Sequence, residues 1–220
     1  MNVIIYRKGT AVVTVKITDN SYVNHNLMGD ETAYIEFFAT SPVALQMGDY
    51  CTLLNHTYFV RDAVIPVRDG MRLKYQITLY GTQYELEKAK YFILDSTGFD
   101  QTAKTTWNCT PLQLLQQMVV NLKRVQPTVD WGVGECISAN AKDVELADNN
   151  CLEILQNAAE AWECDYYVNE YLISLKKIVP GEYPLNLEVG FNKGLRQITV
   201  NKSGDSSVIT RLYAYGAETN

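Results

Sequence analysis

The chain has 220 residues, of which 47% are hydrophobic and 20% charged, with a formal net charge of −6. That balance excludes a disordered chain, and the length suits one large or two small domains with a real core. An acidic chain lacks the basic face that nucleic acid or an anionic membrane would require. Its apolar runs are too short to cross a bilayer, and MNVIIYRKGT has no signal-peptide shape, so the chain is expected to start in a cytoplasm.

From Val3 to about Ile93 the pattern is one of short strands joined by turns. Ala11–Ile17 alternates, with Val13, Val15 and Ile17 on one face, and Thr32–Thr40 is rich in β-branched and aromatic residues ahead of Ser41-Pro42. Gln46-Met47-Gly48-Asp49 predicts a turn before Tyr50–Leu54. Asn55-His56 is expected to be the next tight turn, leading into a strand over Thr57–Val67. Arg68-Asp69-Gly70 predicts a further hairpin, returning as Met71–Gly81 with Leu73, Tyr75, Ile77 and Leu79 on one side. Six or more strands at this spacing predict a sandwich or a small barrel.

The period changes near Lys90. Thr110 is a candidate N-cap with Pro111 at the first helical position, and Leu112, Leu115, Val119 and Leu122 recur at helical spacing. Strand pieces follow at Trp131–Ile137 and Asp143–Asp148. A second helix is expected from Asn149/Asn150 through Trp162, with Leu152, Leu155, Ala159 and Trp162 facing one way. A hairpin then pairs Cys164–Val168 with Tyr171–Ile178 around Asn169-Glu170, and Pro180-Gly181 closes the unit. Beyond Pro184 strands return at Gly194–Gly204 and Ser207–Asn220. A lone hairpin is marginal in water, so this last pair needs a packing partner.

Few residues carry chemistry. The two histidines, His25 and His56, fall in predicted turns and are read as solvated. Five cysteines at separations of 58, 27, 15 and 13 positions form no zinc knuckle and read as buried thiols. Gly132-Val133-Gly134 lacks the third glycine and the following helix of a dinucleotide loop. The close carboxylates Asp30/Glu31, Asp95/Asp100 and Glu160/Glu163 read as surface charge. No catalytic, cofactor-binding or metal-binding residues are expected, and the chain is read as a non-enzyme. Fifteen tyrosines suit a β-rich fold with many half-buried rings, and they also suit interfaces.

Three segments carry a resemblance: the turn and strand around Gly48-Asp49 and Tyr58–Arg61, the hand-over Tyr75–Tyr91, and above all SSVITRLYAYG at 206–216. The last resembles the TRLYPYG-like pattern of the phage tail hub family, the baseplate-hub or tail-associated proteins of phages and prophages. Ala214 stands where a proline is common. The resemblance implies an α+β, mainly β fold: a β-barrel-like domain at 1–90, an inserted small α/β domain with two helices at 91–182, and the first strands of a second β-barrel at 183–220, cut short. It implies a homotrimeric virion structural protein at the tail tip, assembled in the host cytoplasm, linking tail tube to tip beside distal tail and tape-measure proteins. The alternatives are a tail-associated cell-wall hydrolase with catalysis beyond residue 220, and a carbohydrate- or receptor-binding module. Alternation places Arg211, Tyr213 and Tyr215 on one face of the last strand, a possible subunit interface or an ordinary barrel exterior.

Overall fold

The computed structural model describes residues 1–94, 106–146 and 149–178, with the backbone of two further short strands. The chain divides into two compact units, Met1–Ile178 and Val179–Asn220. In the second, the described part is a parallel pairing of Glu188–Val189 with Gly194–Leu195.

The fold is α+β and mainly β. The first strands are β1 (Asn2–Arg7), β2 (Thr10–Lys16), β3 (Tyr22–His25), β4 (Glu31–Ala39), β5 (Tyr50–Leu53), β6 (His56–Val60), β7 (Val67–Asp69) and β8 (Arg72–Gly81). They form one sheet in the order β2-β1-β5-β6-β8-β4-β3, with β7 added to β8. Where a sandwich or small barrel was expected, the described residues form one sheet that does not close into a barrel. Among the described residues the end of β2 touches β4, through the Ile17–Phe37 bridge and the Thr18 N–H to Glu36 carbonyl bond at 2.8 Å, and no ladder joins the outer strands β2 and β3, so the sheet curls without zipping shut.

Alternation explains the core. Across β4 and β8 the inward pairs are Ala33–Leu79, Ile35–Ile77 and Phe37–Tyr75, all buried. The Phe37 and Tyr75 rings stack at 4.7 Å and 3°. Tyr75 satisfies its hydroxyl on the 40–49 loop by accepting from the Val43 N–H at 2.7 Å. The same loop is stapled to β1, where the Arg7 guanidinium grips the buried Asp49 carboxylate at 2.7 and 2.8 Å. On the outer side of β4, Glu36 is buried among Lys74, Asn20, Thr18 and Gln76.

The turns depart from expectation by small steps. The β5–β6 loop is Leu54-Asn55, with φ of 49° and 65°, because Leu53 pairs with His56. His56 therefore opens a strand instead of closing a turn. The strand expected over Thr57–Val67 ends at Val60 with β6, and β7 begins only at Val67, running into the expected turn at Arg68-Asp69. His25 ends β3, an element that the sequence pattern did not reveal.

A 3-10 helix at Thr82–Lys88 carries the chain into a second core. That core is built from β9 (Thr106–Cys109), α1 (Pro111–Val125), β10 (Gly132–Cys136), β11 (Lys142–Glu145), α2 (Cys151–Trp162), β12 (Asp165–Asn169) and β13 (Leu172–Lys176). Both helix starts follow the sequence: Thr110 and Asn150 each accept from the third helical N–H, and Gln113 and Glu153 reciprocate. On α1 the buried stripe is Leu114, Leu115, Met118 and Leu122, while Leu112 is 47% exposed. The expected stripe is rotated, and Asn121, a polar residue, shares the buried face and donates to the Phe92 carbonyl at 2.9 Å.

Candidate functional site

The β3–β4 hairpin is clamped where the two cores meet. Gln83 Nε2 donates to the Gly29 carbonyl at 2.6 Å, Tyr84 Oη to Asp30 at 3.1 Å, and Tyr166 Oη to the Met28 carbonyl at 3.1 Å. These bonds fix the residues flanking the turn, His25 and Glu31, which pair directly across the hairpin.

Glu31 is only 5% exposed, which corrects its reading as surface charge. Its side chain lies across β8 at Gly81, where a Cβ would fall 2.3 Å from the carboxylate carbon. Only glycine leaves that passage open. Beyond it the carboxylate reaches His56, with Oε1 at 3.4 Å from Nδ1. The two imidazoles meet edge to face at 4.7 Å. One donor atom from each of His25, Glu31 and His56 lies within 4.8 Å of the others. His25 is exposed, as expected, but ends a strand, and His56 is half-buried at the start of another instead of solvated in a turn.

Burial pushes the Glu31 carboxyl above its ordinary range, against the opposing pull of His25, His56 and the Gln83 N–H. Tyr58, opposite Gly81 in the ladder, is buried too. Its hydroxyl has no hydrogen-bond partner, and burial together with the Glu31 charge pushes its pKa up to about 12. Two imidazoles and a carboxylate can hold a cation or pass a proton. The remaining nucleophiles are quiet: burial raises the Cys51, Cys109 and Cys151 thiols to about 12.

Two other surfaces stand out. Tyr6, Tyr50, Phe59 and Tyr80 pair in register across four strands as a half-buried aromatic row. Arg61 lies over Tyr80 and Tyr84 at 5.5 and 5.8 Å. At the β7–β8 arm, Ile65 and Met71 are 81% and 96% exposed. The residues Arg211, Tyr213 and Tyr215 lie outside the described part, as do Asp95 and Asp100, while Glu160 and Glu163 are exposed as expected. The histidine–glutamate set escaped sequence reasoning because its members are 6 and 25 positions apart, on strands that are not all neighbours.

No family model matches the chain, and no curated protein does. Solved structures do. One is prophage tail protein gp18 from Listeria monocytogenes EGD-e, with a TM-score of 0.58 at 12% identity, covering 80% of this chain. Another is the 43 kDa tail protein of prophage MuSo2 from Shewanella oneidensis, with a TM-score of 0.52 at 11% identity and the same 80% coverage. The chain spans about half the length of each, 51% and 53%. The likeness is one of fold.

Proposed function

We propose that this chain forms part of a phage or prophage tail, as a structural protein of the hub at the tail tip that works by docking and self-association, without catalysis. The observation that supports it most is the shared fold over 80% of the chain with two prophage tail proteins. The surface suits the role. β7 is an exposed edge of three residues, and edge strands invite pairing between subunits. Ile65 and Met71 beside it are large apolar side chains in water, and the aromatic row on β1, β5, β6 and β8 has the Tyr-rich composition of interfaces.

In this reading the assembly is a homotrimer in contact with distal tail and tape-measure proteins, placed in the virion tail after assembly in the host cytoplasm. The second barrel over 183–220 and the contact face Arg211, Tyr213 and Tyr215 belong to the same proposal. The test is mass in solution by light scattering across a concentration series, on this chain and on the full reading frame. A trimer is expected, with Met71→Asp and Ile65→Asp shifting it toward monomer without lowering the melting temperature. A monomer at every concentration in both samples would sink the self-association.

A further inference from the structure

Four carboxylates are buried among the described residues: Glu31, Glu36, Asp49 and Glu85. Three of them meet a permanent cation. Glu36 has Lys74 at 2.9 Å, Asp49 has Arg7 at 2.7 Å and Glu85 has Lys88 at 2.6 Å. Glu31 is paired with His56 instead, with His25 close by. A buried carboxylate is otherwise costly, and without lysine or arginine it is neutralised by a proton or coordinates a cation. We infer that His25, Glu31 and His56 form a binding site for a divalent transition metal of the zinc type.

The geometry is close to what such an ion needs. Nitrogen and oxygen ligands about 2.0–2.2 Å from a tetrahedral zinc sit about 3.3–3.6 Å from one another. His56 Nδ1 and Glu31 Oε1 are already 3.4 Å apart, and all three donors fall within 4.8 Å. The remaining adjustment falls on His25, whose side chain is exposed and can rotate cheaply. Two imidazoles select zinc, cobalt or nickel over magnesium and calcium, which prefer oxygen. The outer shell is also prepared. Gly81 clears the path for the carboxylate, and the buried Tyr58, paired with Gly81 in the ladder, carries an unpartnered hydroxyl. With three protein donors, the ion keeps a position toward the exposed His25 side for water or for a donor from another chain.

The test uses the whole chain, purified without a polyhistidine tag, stripped with a chelator and titrated with Co(II) and then Zn(II). One Co(II) per chain is expected, with visible d–d absorption of a four- or five-coordinate ion that zinc displaces. His25→Ala, at an exposed position, should keep the circular dichroism spectrum and weaken cobalt binding at least about tenfold, as should His56→Gln. Absence of saturable binding in the wild type, or unchanged affinity in either histidine variant, overturns the site. That outcome would leave the tail assignment untouched, since self-association and metal binding are read separately.

Discussion

Asp49 and Glu36 show how single buried charges set the acid limit of this fold. The Arg7 hydrogen bonds hold the Asp49 carboxyl below its ordinary range despite burial. The Lys74 bond, with help from Asn20, Thr18 and Gln76, holds Glu36 at about 2. Both folded values lie below the unfolded carboxylate values of about 4. Their stabilisation is therefore present above pH about 4.5 and is lost as pH falls toward 2. Urea midpoints measured from pH 7 down to pH 2 should drop through that window, and Glu36→Gln should flatten the drop. Asp49→Ala should cost about 2 kcal/mol at pH 7, because it strands the Arg7 guanidinium and the Gln46 N–H. A midpoint unchanged by Asp49→Ala would mean that water replaces the staple.

At the scale of elements, the hairpins combine good and poor local choices. Lys8-Gly9 is a two-residue turn with both φ positive, at 48° and 82°, and glycine suits the second place. Leu54-Asn55 adopts the same left-handed pair with leucine first, at φ 49° and 73% exposed. Leucine in that region costs about 1 kcal/mol, and asparagine tolerates it. Leu54→Asn should raise the melting temperature by a few degrees, read by calorimetry; no rise would show that the leucine earns its place by contact with Tyr22 in the apolar groove that both line. Helix starts were legible because a cap is a local matter: Thr110-Pro111 and Asn150 act within their own first turn. The α1 stripe was less so, since Asn121 is buried by a carbonyl from Phe92 that no periodicity reveals.

For the whole molecule, two cores share one compact unit, Met1–Ile178, and the 3-10 helix ties them together. Leu86 lies in the helical core, while Gln83 holds the β3–β4 turn. All three tryptophans, Trp107, Trp131 and Trp162, belong to the helical core, and Cys51 is the cysteine of the sheet core. Tryptophan fluorescence and pulse-labelling of Cys51 therefore report different halves. Their urea transitions should coincide if the clamp makes folding cooperative. Cys51 becoming reactive at lower urea than the fluorescence change would show that the sheet opens by itself.

The sequence by itself determined the α+β class, most strands, both helix caps and the burial of four of the five cysteines, because alternation, capping and hydropathy act over a few residues. Only the tertiary structure decided that the sheet stays open, since closure depends on strands far apart in the chain. It alone brought His25, Glu31 and His56 together as well. Residues on three strands meet there because the pairing registers of β3, β4, β6 and β8, and the missing side chain at Gly81, leave one path for a buried carboxylate.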